Sequence, residues 1–154
     1  MVKPYDPTDR KNRALNFQIS KKILTDASSL DLSDSINYIK ATCKSISFNG
    51  NNVFMKILIR NNSLTDFLAG RIQLSAIKKN SPPLELNQRF ISDFPIVLPQ
   101  KEFAVVYVSD ASKAIVPTDV LVMEVNDRSN KIKLKINIPS VVYNMRKTAS
   151  IANH

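Results

Sequence analysis

Apolar and polar positions alternate with a period of two through most of the middle of the chain, the spacing of strands rather than helices. The clearest run lies toward the C-terminal end. Ile132, Leu134, Ile136 and Ile138 fall on one side of it, and Lys131, Lys133, Lys135 and Asn137 on the other. Val53, Met55, Ile57 and Ile59 alternate with Phe54, Lys56, Leu58 and Arg60. Both faces of that run are partly apolar, as in a strand at the centre of a sheet. Ile72, Leu74 and Ala76 alternate with Arg71, Gln73 and Ser75, and Phe103, Val105 and Tyr107 with Ala104, Val106 and Val108. Apolar runs at 41–48, 94–98 and 120–125 bring the total to about seven strands, separated by turn residues at fairly regular spacing.

The punctuation supports the same reading. Asn49-Gly50-Asn51-Asn52 is a strong hairpin signal, and Asn61-Asn62-Ser63 ends the strand that follows it. Ser81-Pro82-Pro83 breaks another strand, because proline cannot donate to a ladder. Residues 126–130 (Asn-Asp-Arg-Ser-Asn) supply the loop before the last strand. The pattern predicts an all-β fold, an antiparallel immunoglobulin-like β-sandwich, although tryptophan and a cysteine pair are absent. Residues 33–43 stay open: Ser33 could cap a helix with Ile36, Ile39 and Cys43 on one face, or a strand could begin near Asn37.

The ends read differently from this body. The expected organisation is a basic N-terminal arm (1–22), the sandwich domain (23–139) and a C-terminal tail (140–154). Pro4 and Pro7 predict an arm without regular structure. In the tail, Pro139 and Ser140 could start a short helix sharing Val142, Met145 and Ala149 on one face. The formal net charge is +9, and the arm holds much of it: Lys3, Arg10, Lys11, Arg13, Lys21 and Lys22 against Asp6 and Asp9. Arg146 and Lys147 add to it in the tail. Basic arms bind nucleic acid or acidic protein surfaces. Aromatic residues do not alternate with these bases as a stacking platform requires, which disfavours nucleic acid.

Candidate chemistry is sparse. Cys43 is the sole cysteine and His154, the last residue, the sole histidine. A cysteine nucleophile needs an activating base, and Lys40 and Lys44 do not share its strand face, so Cys43 reads as a small apolar core residue. The carboxylate pairs Asp31/Asp34 and Glu124/Asp127 sit beside turns, where such groups more often bond backbone amides than titrate in catalysis. Gly50 and Gly70, the two glycines, cannot build a phosphate-binding loop. The Asp26, Asp31 and Asp34 stretch matches no calcium-loop spacing. The sequence therefore predicts no enzyme, no cofactor and no metal. No apolar run reaches the length of about 18 residues that a membrane span needs.

Two features fit binding better. The lysine face Lys131, Lys133 and Lys135 can protect an exposed strand from pairing with other chains or dock an acidic partner. The long basic ends could reach across to neighbouring subunits. Aromatic, Met and Arg side chains dominate interface energetics, which selects Tyr5, Arg10, Arg13, Phe17, Tyr143, Met145 and Arg146 as candidate contacts.

Residues 31–86 also resemble the N-terminal Ig-like domain of upper baseplate proteins of tailed phages. The resemblance rests on a polar turn (49–52), an alternating apolar strand (53–60), a polar break (61–63), the step Leu68-Ala69-Gly70 and a strand ending in a lysine-containing turn (71–79). It implies a virion part, assembled in a host cytoplasm, that joins other structural proteins in many copies or as a homo-oligomer. A further resemblance, through "TDFLAGRIQL" and "KLKINIP", is to the sandwich subdomain of clathrin-adaptor appendages, which implies a monomeric module that binds a short peptide.

Overall fold

The computed structural model describes residues 7–111, 119–139 and 142, without the side chains of 7–10. Helix α1 (Pro7–Thr25) precedes ten strands among the described residues: β1 (Leu32–Ile36), β2 (Ile39–Asn49), β3 (Asn52–Asn61), β4 (Phe67–Ile77), β5 (Leu84–Glu85), β6 (Gln88–Ile91), β7 (Ile96–Val97), β8 (Glu102–Asp110), β9 (Val120–Asp127) and β10 (Lys133–Ile138). Two antiparallel sheets form. The first runs β1-β2-β3-β8-β6, and the second β10-β9-β4-β5, with β7 also paired to β4.

The alternation in the sequence becomes the division between core and surface. Met55, Ile57 and Ile59 of β3, Val105 and Tyr107 of β8, Leu74 of β4, Met123 of β9 and Leu134 and Ile136 of β10 all bury between the sheets in one cluster. The predicted hairpin at 49–52 is present. Asn49 pairs Asn52, and Gly50 takes a φ of 59°, which glycine adopts without steric cost. The ambiguous stretch 33–43 is neither a helix nor one strand. β1 and β2 form a hairpin in which Ile36 pairs Ile39, and the two turn residues, Asn37 and Tyr38, have φ of 51° and 69°. A turn with both central residues left-handed matches the twist of a tight hairpin, and Asn tolerates that conformation; Tyr38 does not advertise it.

The N-terminal arm differs most from expectation. Pro7 does not exclude regular structure but opens a helix, because the first turn leaves its N–H groups unpaired in any case and the fixed φ of proline suits it. The helix is laid on the outer face of the first sheet. Phe54, Val106 and Val108 bury there beneath Ile19, Ile23 and Leu24, with Phe90 at the side. The Phe17 ring meets Phe90 edge to face at 6.5 Å. Lys56 rises from the same face and donates to the backbone oxygens of Leu24 (3.3 Å) and Asp26 (3.2 Å). A cation there satisfies carbonyls that a helix end leaves orphaned and opposes its negative pole.

At the far end of β3, Asn61 is fully buried. Its Nδ2 donates to the oxygens of Thr65 (2.7 Å) and Val97 (2.9 Å), and its Oδ1 accepts from the N–H and Oγ of Ser63. Its backbone N–H and C=O bond Lys101 and Gln100. One side chain thus ties the β3–β4 loop to β7. Replacing Asn61 with Ala strands several buried polar groups, and the expected loss is about 3 kcal/mol of unfolding free energy. Urea denaturation of the two chains measures it, and a loss well under about 1 kcal/mol would mean that these bonds are not made.

Candidate binding surfaces

The outer faces of the two sheets are unlike. The first is roofed by α1, and the second is open and polar. On the open face the register aligns Arg71 of β4, Asn126 of β9 and Lys133 of β10 in one row, and Gln73, Glu124 and Lys135 in the next. Arg71 pairs with Glu85 at 2.8 Å and Lys135 with Glu124 at 3.6 Å. The lysine face of the last strand is therefore exposed on β10, with Leu134, Ile136 and Ile138 turned inward. Lys131 lies just before the strand, in the turn, and is exposed as well.

The edge of β10 is not left bare. Asp34 of β1 reaches across the opening between the sheets, where its Oδ2 accepts the backbone N–H of Lys135 at 2.9 Å; its Oδ1 takes the N–H of Ser35. Asp31 pairs with Lys44 at 3.3 Å. Asp127 folds its own turn, accepting from the Ser129 hydroxyl (2.5 Å) and the Ile132 N–H (2.8 Å). Burial alone would raise its carboxyl. The Ser129 hydroxyl and the backbone N–H groups of Ile132, Lys131 and Asp127 itself nonetheless hold it below the ordinary value of 3.8. The four carboxylates thus serve backbone groups and cations, and neither sequence pair forms a dyad. Among the described residues, no three His, Cys, Asp or Glu side chains gather as a metal site requires.

Cys43 is fully buried in the core, where its thiol lies 3.5 Å from the Ser45 oxygen. Burial pushes its pKa up to about 12, against a smaller opposing effect of that backbone contact. The thiol is protonated at neutral pH and sealed from solvent, so it is no nucleophile.

Of the candidate contacts chosen from sequence, Arg13 and Phe17 are exposed on α1. Arg10 belongs to the helix, and its side chain is outside the described residues, as are Tyr5, Tyr143, Met145 and Arg146 and the tail helix expected from 140 on. Val142 packs at the rim of the core. Sequence reasoning missed an exposed apolar strip. Phe94, Ile96 and Leu98 are 53%, 48% and 54% exposed, while Pro95 and Val97 between them are buried. Alternate burial in an extended segment puts the three side chains on one outward face. The segment Phe94-Pro95-Ile96-Val97-Leu98 is apolar throughout, so the sequence carries no alternation to say which side chains face outward, and it reads equally well as an interior strand. Leu15 and Phe17, on opposite flanks of α1, are 51% and 54% exposed.

The chain matches no family model and no curated protein. No helix among the described residues is long and apolar enough to cross a membrane.

Two outcomes follow from these environments. Cys43 should not react with Ellman's reagent at pH 8 in the folded chain and should titrate fully in guanidinium; prompt labelling of folded protein would contradict its burial. Asp127, with a depressed native pKa, contributes stability that is complete above the unfolded value and lost as pH falls through the native one. Asp127→Asn should therefore melt at a lower temperature than the parent at pH 7, and the gap should close at about pH 2. A gap of constant size across that range would show that the charge is not involved.

Proposed function

We propose that this chain is a non-enzymatic, immunoglobulin-like sandwich that serves as a part of a larger protein assembly, associating with copies of itself and with other structural proteins. The strand order supports the immunoglobulin-like assignment. Taking β2, β3, β4, β5, β6, β8, β9 and β10 as A, B, C, C′, D, E, F and G reproduces the A-B-E-D and G-F-C-C′ pairings of that fold. β1 is then an added edge strand, and α1 an added roof.

The observation that carries the assembly reading is the strip Phe94, Ile96 and Leu98, three large apolar side chains held outward on an ordered segment. Isolated apolar residues on a surface need no explanation, but a contiguous row of them marks contact with another molecule. On α1, Leu15 and Phe17 are exposed on opposite flanks of the helix, and Lys11, Arg13, Lys21 and Lys22 are exposed along it. The basic character of the helix surface suits a neighbour whose own surface is acidic. Placement in a tailed-phage virion rests on the resemblance of residues 31–86 alone.

Sedimentation velocity over a wide concentration range tests this reading. The parent chain should associate. Phe94→Ser with Ile96→Ser, and separately Leu15→Ser with Phe17→Ser, should weaken association roughly tenfold or more while leaving the circular dichroism spectrum unchanged. A parent chain that stays monomeric at the highest concentration, with both variants indistinguishable from it, would overturn the proposal and favour a monomeric recognition module.

A further inference from the structure

Beyond the last residue of β3, the loop to β4 lifts Leu64 into solvent at 91% exposure. The loop around it is fixed. The Ser63 hydroxyl lies 2.6 Å from the Asn61 Oδ1 and 2.9 Å from the Thr65 oxygen, and the Gln100 Nε2 donates to the Ser63 oxygen at 3.1 Å. The neighbouring turns carry apolar side chains as well. The Asn62 N–H donates to the oxygen of Tyr38, whose side chain is 74% exposed, and Gln100 belongs to a turn closed by the Lys101 N–H on the oxygen of Leu98, 54% exposed. Tyr38 holds a φ of 69°, which costs a bulky residue energy and returns no burial here. Leu64, Tyr38 and Leu98 thus sit on three loops bonded to one another at one end of the sandwich, and Leu98 joins them to the Phe94–Ile96 strip.

At the other end of β3, about 30 Å away along its ten residues, a groove of about 630 Å³ opens between α1 and the β2–β3 hairpin. Leu15, 51% exposed, and Ile19 give it apolar walls, and Arg13 stands at its rim. The exposed amides of Asn12, Asn51 and Gln88 border it, and no acid lines it among the described residues. Arg89, the second cation there, is held by Asp110 at 3.0 Å, whereas Arg13 has no ion-pair partner among the described residues.

The two ends complement each other. Asp66 follows Leu64 by two residues, is exposed, and has no ion-pair partner among the described residues. The groove sets an unpaired arginine two residues from its exposed leucine and offers amides able to pair the N–H and C=O groups of a loop. A loop tip already fixed in shape gives up little freedom on entering. We propose that copies of this chain associate head to tail, the Leu64 loop of one seated in the groove between α1 and the β2–β3 hairpin of the next, with Asp66 against Arg13. Because loop and groove lie at opposite ends of one strand, the contact is heterologous and repeats into a row of copies. This inference rests on the assembly reading and supplies its contact and direction.

Sedimentation velocity of the full chain at low salt tests it. The parent should form species larger than a dimer as concentration rises. Leu64→Ser should weaken association about tenfold, and Asp66→Lys and Arg13→Glu about fivefold each; both charge changes in one chain should restore it to within about twofold of the parent. Leu64→Ser and Leu15→Ser chains, each impaired alone, should pair when mixed and stop at the pair. All four positions are exposed, so the circular dichroism spectrum should not change. A parent that stays monomeric would overturn this contact and the assembly reading together. A parent that associates would leave that reading standing, and the head-to-tail contact alone would fall if Leu64→Ser associated equally well, if the combined charge changes gave no rescue, or if association ended at a dimer.

Discussion

The fold depends on the ladder between β3 and β8 being buried on both sides. On the inner side, Met55 and Ile57 face the second sheet with Tyr107 and Val105 opposite them. On the outer side, Phe54, Val106 and Val108 would be left in water were α1 not laid across them. Fully burying one such side chain is worth about 1.5–3 kcal/mol, so the roof contributes on the scale of a domain's whole net stability. Lys56 fixes where the roof ends by meeting the last carbonyls of the helix. The underside of α1 is not wholly apolar: Asn16 bonds Asn52 at 3.5 Å, and the Ser20 Oγ is buried without a partner. These polar interruptions between Ile19, Ile23 and Leu24 explain why the sequence of the helix does not announce the docking.

This helix also shows how far sequence reasoning reaches. Strands whose two faces differ, such as β10 with its isoleucines in and lysines out, were legible because period-two alternation is both the cause of the fold and its signature. The two-faced character of 53–60 was legible as well, but it pointed to a central strand without saying what covered the second face. Pro7 suggests a break by residue type alone, whereas its position in the first turn makes it a helix opener. The short strands β5 and β6 escaped because pairs as brief as Ser75–Glu85 and Ala76–Leu84 carry no periodicity. At the candidate site, the lysine row could be read from the sequence. The unpaired, buried Oδ1 of Asn126 and the bulge at Gly70 could not, since both depend on register between strands distant in sequence.

The two sheets therefore present different surfaces. One carries its own helix, on whose opposite flanks Leu15 and Phe17 are exposed among bases, with the exposed Phe94–Ile96–Leu98 strip elsewhere on the surface. The other keeps a polar, cation-bordered face on which Glu85 pairs with Arg71, Glu124 with Lys135, and Asp127 is held within its own turn. Asp34, bonded to Lys135 across the gap between β1 and β10, protects the edge by which that second face could otherwise add a foreign strand.

Whether α1 lies on its own sheet is the point on which this description rests. Isotope-edited NOESY spectra of the full chain at a concentration where it is monomeric examine it directly. The account predicts strong cross-peaks from the methyl groups of Ile19 and Ile23 to Val106, Val108 and the Phe54 ring. A helix whose methyls show no contact with that face, and whose amides exchange at random-coil rates, would contradict it.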